Sequence, residues 1–345
     1  MSVLIPKGYR NILENVENTQ KGIKLVKDMF QSNLSAQLVL LRVTAPVMVL
    51  KGTGINDDLN GTERPVTFPV KDLNEAPAEV VQSLAKWKRV KLSEMKMNHN
   101  RGIYTDMNAI RPDEVMDNIH SIYVDQWDWE KVISKEDRNL SFLRSTVRRI
   151  YEAIRVTENR IYVEYPQIVP SLPEDLFFIH AQELLEMYPG LTPKERENEI
   201  TKKHKAVFVI GIGHDLTDGN FHDGRAADYD DWSTKNEDGY YGLNGDLLLW
   251  NPVLQSSFEI SSMGIRVDET AMEKQLKIRN QEWKKELMFH KELLAGNLPY
   301  TIGGGIGQSR LCMFLLRKCH IGEIQCSIWT DEIKNECKKA GIELM

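Results

Sequence analysis

Four glycines crowd into the five positions from Gly303 to Gly307, inside the run TIGGGIGQSRL that spans residues 301–311. A stretch with so few side chains cannot build a core, so its backbone must be needed close to something else. The pattern predicts a glycine-rich turn that opens a helix over 308–318. There the backbone can approach a phosphate-bearing ligand, and the helix N-terminus adds partial positive charge. Arg310, in the first turn, would share the same anion. Glycine-rich turns also serve as plain loops, so the rest of the chain has to decide.

Hydrophobic periodicity around this run switches between helix and strand. Ile23, Val26, Phe30 and Leu34 share one helical face, followed by a β-rich run over 38–43 and then Pro46. Strands are expected over 104–111 and 119–130, joined by turn-rich residues 112–118. Leu143, Val147, Ile150, Ile154 and Ile161 mark a second amphipathic helix, and Pro193 after Thr192 starts a third. Short strands are expected over 207–212, 247–250 and 258–262. A long polar-faced helix is expected over 269–294, ending at Gly296. Strands joined mainly by hairpins, with helices set apart from them, predict an α+β fold with a mainly antiparallel β-sheet flanked by helices. No repeat or linker interrupts the 345 residues, so a single catalytic domain over 1–345 is expected.

The net charge of -6 argues against a protein that holds nucleic acid, which usually needs a basic face. No stretch approaches the ~20 apolar residues of a membrane helix, and MSVLIPKGYR lacks the apolar core of a secretory signal. A cytoplasmic protein is expected, with no membrane partner. Cys312, Cys319, Cys326 and Cys337 form no C-x-x-C pair. Buried reduced thiols are therefore expected, not a zinc site.

Several clusters can carry chemistry. Arg111-Pro-Asp-Glu114 lies between two expected strands, where an arginine fork can hold two anions at once. The strand that follows places Ile122, Val124, Gln126, Asp128 and Glu130 on one face and Tyr123, Asp125, Trp127 and Trp129 on the other. The polar half-face reads either as a solvent-facing edge or as a floor that accepts hydrogen bonds from an ammonium group. The run 83–89, SLAKWKR, reads as a basic helix face or as a source of a lysine for an acidic substrate. Asp246 and Glu259 suit Mg²⁺, which takes hard oxygen ligands and is often shared with nucleotide phosphates. The acidic stretch around Asp228, Asp230 and Asp231 reads as a solvated loop, with His214 and His222 offering a weaker metal site.

YVDQWDWE, SLAKWKR, RPDE, DYDDWS, GLNGD, FEISSMGIRV and TIGGGIGQSRL together resemble the ammonia-dependent asparagine synthetases, relatives of the class II aminoacyl-tRNA synthetases. The resemblance covers about residues 20–330. RPDE is similar to class II motif 2, the glycine run to motif 3, and the first helix and strand to the motif 1 dimer interface. It implies a homodimer that uses L-aspartate, ammonia and ATP with Mg²⁺. It places Asp57, Ser83, Lys88, Arg111, Gln126, Asp128, Ser262, Arg266 and Arg310 around aspartate and the reacting phosphate. Glu114, Asp230, Asp246, Glu259 and Ser261 fall around ATP and Mg²⁺. Arg111, Asp57, Asp128 and Arg310 are the implied catalytic groups, with Asp57 or Asp128 as the base. Ser261 and Ser262 are adjacent and would face opposite ways on a regular strand. Either that strand is irregular, or one serine acts through its backbone.

The implied reaction forms β-aspartyl-AMP, which ammonia converts to asparagine and AMP. A glutamine-dependent route is not expected, because it needs an N-terminal cysteine nucleophile, whereas Ser2 follows Met1 and the first cysteine is Cys312. A tRNA synthetase would need a further anticodon-binding domain. A non-catalytic paralogue acting as a binding module would be expected to lack Arg111, Glu259 or Arg310, and all three are present.

Overall fold

The computed structural model of the chain describes residues 3–57, 59 and 63–345. Asn15 caps helix α1 (Val16–Leu38) by accepting from Asn18 N, and Val39 ends it in a left-handed conformation. Strand β1 (Leu40–Arg42) follows at once. Strands β2 (Met48–Leu50), β3 (Thr67–Val70) and β4 (Ala76–Val80) form a small antiparallel sheet in the order β2-β4-β3. Helix α2 (Ala85–Glu94) then leads into the antiparallel pair β5 (Gly102–Ile110) and β6 (Tyr123–Val132), followed by α3 (Leu140–Glu164).

The second half opens with β7 (Phe177–His180), α4 (Ala181–Met187), α5 (Pro193–His204) and β8 (Ala206–Ile210). Thr192 and Glu195 cap α5 reciprocally with Pro193 in its first turn, as the sequence led us to expect. Strands β9 (Asn244–Asn251) and β10 (Ser256–Ile265) pair antiparallel. Helices α6 (Glu269–Ile278) and α7 (Met288–Leu294) come next, then β11 (Thr301–Gly307), α8 (Gln308–Leu315) and α9 (Asp331–Lys339). The main sheet has eight strands in the order β1-β5-β6-β11-β10-β9-β8-β7. Its outermost pairs are parallel and every pair between them is antiparallel.

The sheet divides core from site. On β6, Trp127 and Trp129 are fully buried, with Phe30 of α1 against Trp127 at 4.7 Å between ring centroids. The buried faces of α1 and α3 cover this side, and both follow the apolar spacing of their sequences. Gln126 and Asp128 face the other way, as alternation requires.

Three expectations about elements need correction. The glycine run is not a turn but a strand that ends directly in α8. It is held between β6 and β10, where side chains of its neighbours occupy the space above it. A Cβ on Gly303 would lie 1.9 Å from Glu130 Oε2, and one on Gly305 2.4 Å from Gln126 Oε1. The long helix over 269–294 is broken into α6, a 3-10 segment (Glu282–Glu286) and α7. Asn280 takes a left-handed φ of 55° after α6, a conformation asparagine tolerates, and Leu287 is extended. Of the four cysteines, Cys326 is exposed while the other three are buried.

Candidate active site

β6 forms the floor of a cavity of about 330 Å³ on the sheet face opposite the tryptophans. Gln126 and Asp128 line it, and Ser83 enters from the turn before α2. Asp128 is fixed from both sides: Lys88 Nζ donates to its Oδ1 at 2.7 Å and Leu84 N to its Oδ2 at 3.3 Å. Lys88 itself does not line the cavity. It is fully buried beneath the floor, also donating to Trp129 O at 3.0 Å and Gly304 O at 3.2 Å. Burial lowers its pKa, against the pull of Asp128 and Glu130. The resemblance places Lys88 around aspartate and the reacting phosphate; in the structure its ammonium bonds Asp128, which does line the cavity. Lys86, Lys88 and Arg89 are all buried, so SLAKWKR is not a basic helix face.

A ladder of alternating charge crosses the wall beside the floor. Glu130 grips Arg266 through both carboxylate oxygens, with Arg266 Nη2 donating to Oε2 at 2.8 Å and Nε to Oε1 at 3.0 Å. Arg266 reaches Asp230 with Nη1. Asp230 Oδ2 is 3.4 Å from Arg225 Nε, and Arg225 Nη2 donates to Asp246 Oδ1 at 2.5 Å. Arg266, Asp230 and Arg225 line the cavity. Asp246 does not; it sits behind Arg225. Burial pushes the Asp246 carboxyl up to about 7, opposed by Arg225 and reinforced by the charges of Glu259 and Asp223.

The acidic stretch is not a solvated loop, since Asp228, Asp230 and Asp231 are all buried. Asp231 accepts from Arg138 Nη2 at 2.7 Å. Asp228 accepts from Lys86 Nζ at 2.8 Å; burial would raise its pKa, but Lys86, His290 and Lys284 hold it well below the usual range. His222 faces Glu197 at 3.2 Å and His214 packs edge-on to Tyr241. Among the described residues no group of three or more His, Cys, Asp or Glu is arranged to hold a metal by itself.

Arg111 and Glu114, from the end of β5 and the turn beyond it, line both this cavity and an adjoining chamber of about 300 Å³. Gln126, Asp223, Glu259 and Gly305 are shared as well. Arg111 Nη2 donates to Gln82 O at 3.2 Å, whereas its buried Nε has no hydrogen-bond partner among the described residues. Asp57 and Ser262 belong to the first cavity. Arg310 belongs only to the second, where Nη1 donates to Glu259 O at 3.2 Å and lies 3.8 Å from Glu259 Oε1. The resemblance sets it around aspartate and the reacting phosphate.

β10 resolves the paired serines. Its pairing with β9 slips by one residue between Glu259 and Ser261, a β-bulge at Ile260. Ser261 then lies opposite Leu247 and donates to Gly305 O at 2.8 Å, while Ser262 faces the cavity opposite Asp246. The strand is therefore irregular, as one of the two alternatives expected, but the irregularity falls before Ser261 and leaves the two serines pointing opposite ways. Ser261 does not line either chamber.

Ten of the fourteen expected residues line the first cavity, and Lys88, Ser261, Asp246 and Arg310 do not. Several lining residues escaped the sequence reading, Arg225 and His120 among them. Arg225 was hidden in a stretch read for its acids, although an arginine amid so many carboxylates is itself a pairing signal. His120, in the second chamber with its Nδ1 3.0 Å from Asp117, marks the return of the loop after Arg111.

An eight-stranded, mainly antiparallel sheet whose glycine strand runs into a helix beside such a cavity defines the class II aminoacyl-tRNA synthetase fold. Asparaginyl-tRNA synthetase from Entamoeba histolytica superposes with a TM-score of 0.63 at 16% identity, over 91% of this chain and 70% of that one. The asparaginyl-tRNA synthetase of Pyrococcus horikoshii complexed with asparaginyl-adenylate gives 0.60 at 14%, over 91% and 70%. Sequence comparison is more specific. The profile of the aspartate-ammonia ligase family matches residues 17–341. An aspartate–ammonia ligase from Parabacteroides distasonis is 60% identical over 346 residues, covering 100% of both chains. One from Clostridium tetani is 55% identical over 343 residues, covering 99% of this chain and 98% of its own. The chain belongs to the aspartate–ammonia ligase family, and is a ligase.

Proposed function

We propose that the protein makes L-asparagine from L-aspartate, ammonia and ATP through β-aspartyl-AMP, releasing AMP and pyrophosphate. The observation that carries this is the position of Arg111 at the junction of two chambers, with a buried Nε–H that has no hydrogen-bond partner among the described residues. Aspartate occupies the first chamber and the nucleotide the second. The aspartate side-chain carboxylate attacks the α-phosphorus and the bond to pyrophosphate breaks. Arg111 bridges the two anions and stabilises charge developing between them. Arg266 holds substrate carboxylate, while Gln126 and Asp128 receive the α-ammonium. Arg310 and Glu114 hold the nucleotide.

Ammonia then attacks the activated carbonyl and AMP leaves. Ammonium must first lose a proton. Asp57 and Asp128, two buried carboxylates that line the cavity, are the candidate bases. Mg²⁺ fits the carboxylate pair Asp246 and Glu259, hard oxygens that phosphate oxygens would complete; burial first, and then the charges of Glu259 and Asp223, raise the Asp246 pKa. Asp246 and Glu259 would hold it together with phosphate oxygens, and it would offset charge on the nucleotide.

The proposed assembly is a homodimer through α1 and the β1 edge, where Leu41 is exposed, with Val47 and Met48 exposed at the start of β2. The proposed setting is cytoplasmic; among the described residues no helix is long and apolar enough to cross a membrane. The test is ATP–pyrophosphate exchange dependent on aspartate and run without ammonium, followed by product analysis with ammonium. Exchange, asparagine and AMP are expected, with ¹⁸O passing from the aspartate side chain to AMP. Formation of ADP and phosphate, or of aspartyl-tRNA as the only acylated product, would refute the proposal.

A further inference from the structure

We infer that Arg225 holds the place of the metal: its guanidinium is the counter-cation of Asp246 in the nucleotide-free enzyme, and Mg²⁺ arriving with ATP displaces it toward the β- and γ-phosphates. This rests on the metal ligands proposed above. Arg225 lines the cavity and Asp246 does not, so the guanidinium stands between the cavity and the carboxylate. It is bound there by one short bond, Nη2 to Asp246 Oδ1 at 2.5 Å, and one long ion pair, Nε to Asp230 Oδ2 at 3.4 Å. Arg225 Nε and Asp230 Oδ2 are both buried without a hydrogen-bond partner among the described residues, so that pair is not yet consummated.

Release of the head group leaves little uncompensated. Asp230 keeps Arg266 through its other oxygen. Asp246, facing the charges of Glu259 and Asp223, trades one monovalent cation for a divalent one. The stem of Arg225 is anchored separately: Gly213, at φ +103°, leaves room for the Arg225 Cβ, which would lie 2.7 Å from an added Gly213 Cβ. A planar guanidinium freed on a fixed stem matches phosphate oxygens, whereas a hard divalent ion prefers the carboxylate. Charge is conserved on the protein side as the metal enters and the guanidinium meets the polyphosphate.

The exchange predicts opposite shifts in two affinities. Mn²⁺ alone would be followed by the electron paramagnetic resonance of the free ion. Binding of Mn²⁺ with α,β-methylene-ATP, whose bridge is not cleaved, would be followed by calorimetry. Arg225→Gln should tighten free Mn²⁺ about tenfold and weaken the metal–nucleotide complex about tenfold, the equivalent of one charge-assisted hydrogen bond each way. Arg225→Lys, which keeps the charge but loses the fork, should weaken the nucleotide complex and leave free Mn²⁺ nearly unmoved. Arg64→Gln removes an exposed cation paired to Asp113 at the cavity rim, and should change either affinity by less than about twofold. Two unchanged or two weakened affinities in Arg225→Gln overturn the inference, as does the same pair of shifts in Arg64→Gln. Asp246→Asn separates the layers. If it binds Mn²⁺ like the parent, the metal ligands and the exchange both fail; if it loses Mn²⁺ while Arg225→Gln does not move it, the exchange alone fails.

Discussion

Two glycines on one face of β11 should fail in different ways when given a methyl group. At Gly303 the new Cβ would fall 1.9 Å from Glu130 Oε2 and 2.7 Å from Arg266 Nη2. Neither group can retreat. Glu130 is fully buried, with Arg266 on both oxygens and Lys88 Nζ at 3.8 Å. Gly303→Ala therefore forces the buried pair apart, and breaking such a pair costs about 3–5 kcal/mol. At Gly305 the clash is with Gln126 Oε1 at 2.4 Å, the mobile end of a half-buried side chain beside open cavity. Gln126 can swing aside for about 0.5–1.5 kcal/mol. It then intrudes where substrate belongs, and misplacement of about 1 Å is enough to lower kcat/KM about a hundredfold. Urea unfolding together with aspartate-dependent pyrophosphate exchange measures both quantities. Gly303→Ala should lose most of its stability and Gly305→Ala mainly its activity. Equal stability losses in the two variants would refute the idea that Glu130 and Arg266 form an immovable wall.

Further outcomes follow from side chains whose placement differs from expectation. Lys88→Ala, by leaving the buried Asp128 without its cation while Glu130 keeps Arg266, should cost about 3–5 kcal/mol of stability, whereas Arg310→Ala should leave unfolding unchanged and raise KM for ATP. Ser261→Ala should cost only about 1 kcal/mol, one hydrogen bond to Gly305 O, with exchange activity retained; Ser262→Ala should show the reverse in matched kinetic and unfolding assays. His320, buried with Nδ1 accepting from Gly322 N, has its pKa lowered by burial to about 4. Because the folded value lies below the unfolded one, the unfolded chain binds the extra proton as pH falls below about 6.5. Stability should therefore drop by about 3 kcal/mol between pH 6.5 and 4 from this group, and His320→Asn should flatten that part of a urea-midpoint profile.

Local rules in the sequence foretold what is local in the structure. The alternation along β6, the apolar faces of α1 and α3 and the Thr192–Pro193 start of α5 each depend on neighbours a few residues away. The break between α6 and α7 was missed because an amphipathic pattern persists through Asn280, where only the backbone changes hand. The glycine run was misread because its cause lies on other strands: Glu130 and Gln126 occupy the volume that side chains at Gly303 and Gly305 would need. The charge ladder was equally hidden. Glu130 and Arg266 are separated by 136 residues and Arg266 and Asp230 by 36, so their pairing belongs to the sheet order and leaves no trace in spacing. Buried carboxylates looked like a solvated loop for the same reason, since composition does not reveal partners.

The bulge at Ile260 sets a rule of parity for this wall of the site. Glu259 and Ser262 are three residues apart, an odd number, yet both face the cavity because the bulge absorbs one step of the pleat. Regular β-strand would send one of them into the core beside Phe258 and Leu247. The chain between them therefore tolerates changes of side chain but not of length. A one-residue deletion that removes the bulge, conservative by composition and invisible to hydropathy, would turn one wall of the chamber inside out, and relatives that keep the chemistry must keep this count.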